Sequence, residues 1–315
     1  MTLLSICIPC YGRVEYVRKT LKSIFIDNAD VPLEKYEVII SDNDSNQAIK
    51  VLTEEFKYPN LRYFYTNCEG FMNSYYVLTY AQGEFFKLHN SQTLFRKGSL
   101  SKIISEIKNN IENKTLIFYT NGLLGSRKSQ TYSNFNDFMY NLSYWSSWSN
   151  GFNIWKSEFD KIDKNLKLNK LFPHTSLFLT QHQAKLFCIN DNLLFDVQRI
   201  PKRGGHNKFE AFTIEYPSLL DECCKKGHIS TKCKKHILFG IMVQFLPSLL
   251  FNKYIIRIET FDDTGFRDNL KKYYPSYAYW LVLTYIIHSG FISGYQNRYG
   301  DNLKPPTNVY HRMTA

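Results

Sequence analysis

No stretch of this 315-residue chain is an uninterrupted apolar run long enough to cross a bilayer. Ile237 to Leu250 is uncharged but holds Pro247 and reaches only about two-thirds of a span. Tyr273 to Tyr295 is broken by Tyr, Ser, Thr and Gly and has Pro275 near its start. Amphipathic helices resting on a membrane, or packed on the domain, are the expectation for both. The opening residues do not read as a signal peptide, so none is expected, and the seven cysteines are odd in number and scattered. They therefore predict no disulfide framework but reduced cytosolic thiols. No helix-turn-helix, zinc knuckle or RNP-type pattern is found, so nucleic acid is not an expected partner. Neither internal repeats nor a low-complexity linker break the chain.

Two cysteine groupings carry little chemistry. Cys7 and Cys10 straddle a strand end and a proline rather than opening a helix, which favours core packing over redox work. Cys223, Cys224, His228, Cys233 and His236 miss the paired spacing of a zinc knuckle and are interrupted by lysines.

What is present is a basic, aromatic, globular composition. The net charge is +11, from 39 Lys and Arg against 28 Asp and Glu, and suits a phosphate ligand or an acidic surface. Hydrophobic residues make up 44%, enough for one large core or two smaller ones, and 23 Tyr with 24 Phe favour stacking surfaces.

Leu3 to Ile8 predicts a buried parallel strand, and Pro9, lacking an N–H, is expected to end its ladder. Tyr11, Gly12 and Arg13 turn the chain into a helix with apolar residues at Val14, Val17, Leu21, Ile24 and Phe25. Strands at Tyr36 to Ile40, Leu61 to Tyr65, Glu84 to Leu88 and Thr115 to Tyr119 alternate with helical patterns, the last after Gly98. That is the tempo of βαβ units and a parallel sheet. Gly83 reads as a helix C-cap. Ser129 to Asn153, with Tyr144, Trp145 and Trp148, reads as a long functional loop. Trp155 to Leu168 and Thr175 to Phe187 read as helices, Leu193 to Gln198 as a strand, and Pro201 to Asn207 as a basic loop. Beyond Thr213 only helices are expected. Ligands of an open α/β sheet bind beyond the carboxyl ends of its strands. The strand tips gather Pro9 and Tyr11, Asp42 and Asp44, Asn67, and His89 and Asn90.

Ser5-Ile-Cys-Ile-Pro-Cys-Tyr-Gly-Arg13 resembles the opening of the GT-A glycosyltransferases of family 2. Glu37-Val-Ile-Ile-Ser-Asp-Asn-Asp-Ser45 is similar to that family's second strand with its nucleotide-binding aspartate. Asn67-x-x-Gly70-x-x-Asn73, followed by Ala81-x-Gly83-Glu84, looks like its third block. Together these cover about the first hundred residues in order. The resemblance implies an α/β GT-A fold, Rossmann-like, with a mostly parallel central sheet flanked by helices. Residues 1–212 would form the nucleotide-sugar-binding and catalytic domain, and 213–315 a mainly helical region for membrane-surface, acceptor or oligomer contact.

Carried over by position, Pro9 and Tyr11 would frame the base with Arg13 beside them, and Asp42 would accept its N–H, with Asp44 next to it. Gly70, Asn67 and Asn73 would support the donor pocket. The plainer reading of Asp42 and Asp44 is helix capping. Where the family places an Asp-x-Asp that holds a divalent cation, Mg²⁺ or Mn²⁺, this chain has His89-Asn90-Ser91-Gln92. Mg²⁺ wants oxygen ligands and usually carboxylates, so a hard-cation site is not expected there; His89 and Asn90 could coordinate a softer metal weakly or hydrogen-bond the diphosphate. Lys87, Arg96, Lys97 and the loop carrying Lys202 and Arg203 are candidates for stabilising the leaving charge. Inverting members use a Glu-Asp carboxylate as base. At that distance stands Phe172-Pro-His-Thr-Ser176, which makes His174 the candidate, with Asp160 and Glu158 behind it. The plain alternative for His174 is a satisfied core histidine.

The function so implied is inverting transfer of a sugar from a nucleotide diphosphate, a UDP-sugar foremost, to a hydroxyl of a bacterial surface glycan: O-antigen, capsule or lipooligosaccharide, free or lipid-linked. A catalytically inactive donor-binding or partner subunit is the alternative. The expected place is the cytoplasm, at the inner face of the membrane, and self-association stays open.

Overall fold

The computed structural model describes residues 2–198, 200 and 203–286. In chain order the sheet-forming segments are β1 (Leu4–Cys10), β2 (Tyr36–Asp42), β3 (Leu61–Tyr65), β4 (Phe85–Leu88), β5 (Thr93–Phe95), β6 (Leu116–Tyr119), β7 (Ser129–Tyr132), β8 (Asn153–Trp155), β9 (Phe187–Asn190), β10 (Phe195–Val197), β11 (Arg203–Gly204) and β12 (Glu259–Thr260). The main helices are α1 (Val14–Phe25), α2 (Asn73–Thr79), α3 (Ser99–Asn110), α4 (Phe135–Leu142), α5 (Pro173–Thr180), α6 (208–225), α7 (Thr231–Ile255), α8 (Phe266–Tyr273) and α9 (278–286).

The central sheet has the order β3-β2-β1-β4-β8, parallel except for β8. Alternation along the inner strands explains why they read as continuous apolar runs. Ile6, Ile8, Val38 and Ile40 join the cluster under α1 and α3, whereas Cys7 and Ile39 join the cluster under α2. Both faces are covered, as a parallel sheet requires. A second sheet, β6-β9-β7, and the ribbon of β5 with β10 close the far side. The cluster under α2 continues without a break into α6, α7, α8 and α9. This is the expected α/β GT-A arrangement, a mostly parallel sheet flanked by helices.

Several local expectations are corrected. Pro9 lies inside β1, opposite Ser41. The β4 ladder ends at Cys7, so the proline falls where β1 keeps only β2 beside it. Gly83 is no C-cap: a Cβ there would meet Ser5 Oγ at 2.8 Å and the Leu4 backbone at 3.1 Å, so glycine allows the close approach of two chain segments. The 129–153 stretch is not one loop but holds β7, α4 and the start of β8. Trp155 is a buried strand residue rather than a helix start, its indole N–H donating to the Thr115 carbonyl at 2.8 Å. The helix at 175–187 stops at Thr180 and gives way to β9.

From Thr213 to residue 286 the regular structure is helical apart from the two-residue β12. Pro247 does not end its helix. The Leu246 N–H reaches back five residues to the Ile241 carbonyl, and the wide turn so formed absorbs the proline. α7 therefore runs 25 residues and is long and apolar enough to cross a membrane, yet 61% of its most apolar window is buried against the rest of the molecule.

Candidate active site

At the carboxyl edge the register of β1 on β2 sets Cys10 opposite Asp42, and the Asn43 N–H donates to the Cys10 carbonyl at 3.2 Å. Gly12 and Arg13 are both left-handed (φ 57° and 58°), which swings the chain sharply into α1. Tyr11 is left projecting from that corner, 70% exposed. Arg13 is exposed at the head of α1. Asp42 is fully buried: Oδ1 accepts the Asp44 N–H at 3.0 Å and Oδ2 the Tyr63 hydroxyl at 3.1 Å. Burial raises its carboxyl above the usual range. Asp44 Oδ1 accepts the Asn46 N–H, so the two aspartates shape the 42–46 turn. Asp44 also lies against Gly12, joining the tips of β1 and β2.

Asn73 is buried beneath this corner. Its amide donates to the carbonyls of Ser41 (2.8 Å) and Cys10 (3.3 Å), while its oxygen accepts from the Ser41 hydroxyl. It is a brace for the two tips. Asn67 is exposed past β3, and Gly70, left-handed at φ 48°, opens the turn before α2.

The tip of β4 differs from expectation. Lys87 turns away from the rim and is completely buried. Its ammonium donates to the Asn150 carbonyl at 2.8 Å and sits over the Phe195 and Tyr119 rings at 4.6 and 5.3 Å. Burial lowers it to about 7. His89 points to the same side, packed against Phe95 and Phe195. Its Nε2 donates to the Thr93 carbonyl at 2.8 Å, and burial keeps the ring neutral. Neither group reaches the rim. Asn90 does: it is partly exposed, its N–H bound to Asn150 Oδ1 and its Oδ1 accepting from Ser149.

The same segment, 147–150, holds the candidate base. His174 Nε2 donates to the Ser147 carbonyl at 2.9 Å from the first turn of α5. This fixes the proton on Nε2 and leaves the Nδ1 lone pair without a partner among the described residues. Burial lowers the imidazole to about 4. Asp160 is on the surface in an i,i+4 pair with Lys156, and Glu158 pairs with Lys161. Neither meets the strand tips by any hydrogen bond. The residues Ser147, Ser149 and Asn150 were not singled out in the sequence. Their role rests on one backbone carbonyl and two small polar side chains, which leave no motif.

The basic loop is anchored on both sides of the rim. Gln198 donates from its side chain to the Tyr16 carbonyl and from its backbone to Gln92. His206 packs edge-on against Phe71, beside the Gly70 turn, and against Phe261. Arg203 pairs its backbone with Glu259 in β11–β12. Lys202 lies outside the described residues. Arg96 is engaged by Asp196.

A divalent cation does not fit the fourth strand tip. His89 already spends Nε2 on a carbonyl and is sealed by phenyl rings, and Asn90 is bound on both sides. Among the described residues no group of His, Cys, Asp or Glu is arranged to hold a metal.

Among curated proteins none matches this sequence. Among solved structures, that of S. aureus TarS 1-349 in complex with UDP-GlcNAc is similar, with TM-score 0.58 and 16% identity over 95% of this chain and 92% of that one. The same protein in complex with UDP gives TM-score 0.56 at 15% identity, over 97% and 95%. These likenesses speak for the fold. The model of glycosyl transferase family 2 matches residues 5–183, more than half of the chain and all four strand tips described above. The chain belongs to glycosyl transferase family 2.

Proposed function

We propose that the chain transfers a sugar from a uridine diphosphate donor to a hydroxyl of a surface glycan, of the O-antigen, capsule or lipooligosaccharide kind, assembled on a lipid at the inner face of the membrane. The observation that carries the donor reading is the pairing of Cys10 with Asp42, which brings the backbone just before the exposed Tyr11 alongside the Asp42–Asp44 turn. An exposed phenol ring offers a face for a heterocycle, and the turn offers acceptor oxygens for its N–H. UDP and UDP-GlcNAc in the similar structures support a uridine donor.

Arg13, with the basic loop, would balance the diphosphate as the bond from the anomeric carbon to the leaving oxygen breaks. A new bond forms from that carbon to the acceptor oxygen, with inversion, and the acceptor proton passes to a base, a role His174 would take once acceptor binding uncovers its buried Nδ1. The braces Asn73, Asn90 and Asn150 hold the tips at fixed spacing and so lower the reorganisation the reaction needs. A second reading, donor binding without turnover, is favoured by the burial of His174 and the absence of a carboxylate in its place.

The deciding experiment pairs thermal shifts with a turnover assay. UDP and UDP-sugars are expected to raise the melting temperature of the protein, and Tyr11→Ala to weaken binding about tenfold, as loss of one stacked ring does. No shift with any nucleotide overturns the donor reading. Shift without UDP release, when glycan acceptors are present, favours the inactive binder.

A further inference from the structure

The C-terminal helices carry an apolar surface ringed by aromatic and basic groups. At the end of α7, Tyr254, Ile255 and Ile256 are 54%, 60% and 44% exposed. Where the chain enters α9, Tyr277, the residue just before the helix, and Trp280 in its first turn are 60% and 61% exposed. α8 links the two ends. The Tyr254 phenol is hydrogen-bonded to Asp263, which lies just before the start of α8. Arg267 lies over the rings of both Tyr279 (5.3 Å) and Trp280 (5.8 Å). Exposed Arg257 follows Ile256 directly, and exposed Lys272 stands on α8 beside Tyr273.

We infer that this surface docks on an anionic lipid bilayer, with α7 packed in the molecule rather than spanning. The charge decides among occupants. A second copy of this chain, at +11, would meet the patch with net like charge, whereas an anionic leaflet attracts guanidinium and ammonium groups. Tyrosine and tryptophan between aliphatic side chains and basic heads match the headgroup layer, where one end of each ring is apolar and the other wet. Most of the apolar window of α7 is already covered by protein, so its exposed end is what remains for lipid. The docking would bring a lipid-linked acceptor to the strand tips, and in that sense it rests on the proposed acceptor.

The test is sedimentation of the full chain with phosphatidylcholine vesicles, with and without phosphatidylglycerol. Binding is expected only when phosphatidylglycerol is present and is expected to weaken with salt. Ile256→Ser with Trp280→Ser should lose at least about tenfold in partitioning. Arg267→Gln with Lys272→Gln should lose about fivefold for each charge removed. UDP-induced thermal shifts should be the same in all variants, which shows that they fold and separates this result from the donor reading. Absence of binding to anionic vesicles, or binding that neither pair of substitutions alters, overturns the inference. So does a dimer that Trp280→Ser dissolves while vesicle binding persists. Loss of the UDP shift in wild type, with vesicle binding intact, would sink the donor reading alone.

Discussion

The Tyr63 hydroxyl donates to Asp42 Oδ2 across the β2–β3 ladder, while the Asp44 N–H holds Oδ1. The carboxylate is therefore aimed before any ligand arrives, at a place where burial disfavours its charge. Each donor favours the ionised form, so Tyr63→Phe raises the Asp42 carboxyl further. Below that raised value the group is protonated and loses acceptor capacity. We expect UDP affinity to fall about fivefold, the worth of roughly 1 kcal/mol, and its acid limb to move upward. Calorimetric titration over several pH values measures both. Unchanged affinity and limb would remove Asp42 from the donor site.

His174 makes two opposite-facing statements about pH. Its folded value is near 4 against an ordinary 6.5, and the cause is burial. Between those values the unfolded chain binds a proton that the native one does not, so stability falls as pH drops from about 6.5 to 4, by about 3 kcal/mol in all. In His174→Gln this part of the acid loss should vanish in melts across that range. If the ring is the base, the same variant should lose about 10²- to 10⁴-fold in turnover, and the wild-type rate should hold to lower pH than a free imidazole allows. A folded variant with full turnover returns His174 to the core residues.

Gly83 gives a prediction of packing alone. A methyl there would press on Ser5 Oγ and on the Leu4 backbone. Ser5 Oγ donates to Glu37 and accepts from the Gly83 N–H, and Arg62 completes the network. Gly83→Ala is expected to cost about 1–3 kcal/mol, read as a lower melting temperature with UDP affinity kept.

Chelation tests the fourth strand tip. With His89 committed to the Thr93 carbonyl and Asn90 to Ser149 and the Asn150 side chain, the tip has no free oxygen set for a hard cation. UDP release should survive EDTA within about twofold, far from the loss expected when a Lewis acid is removed. Abolished activity, restored by Mn²⁺, would overturn this reading.

The parallel sheet and its rim were legible because buried parallel strands leave apolar runs and their tips leave small polar ones. Leu61–Tyr65 is found at its expected bounds, and α1 within a residue. Where the reading went astray, a residue type served an unusual role. Pro9 is tolerated because β4 has left the ladder, and Trp155 is a strand residue because its indole finds a carbonyl across the sheet. α4 does have a signal in the sequence: Asn134 caps it by accepting the Asp137 N–H, three residues on. The contacts of the 147–149 segment with Asn90 and His174 could not be read, since one is a serine hydroxyl on an amide oxygen and the other a main-chain carbonyl, between residues far apart in sequence.

Lys87 shows how a position adjacent to chemistry is used for packing. An ammonium buried with carbonyls and rings is held near 7, against about 10.4 for a free lysine, chiefly by desolvation. Between these values the unfolded chain holds a proton that the native one has released. Stability therefore rises with pH across that window, and the full cost of burying the charge is felt below it. Lys87→Met keeps the length of the side chain and removes the charge, so its curve should be flat where the wild type climbs. The gain from the substitution should be larger at about pH 6 than at about pH 8.5, by about 2 kcal/mol, and denaturant titrations at the two values measure the difference. A gain that does not depend on pH would mean that the ammonium keeps its proton in the fold, held by the Asn150 carbonyl and the flanking rings. In that case a fixed positive charge would lie behind Asn90, and its contribution to diphosphate binding would appear as weaker UDP affinity in the same variant.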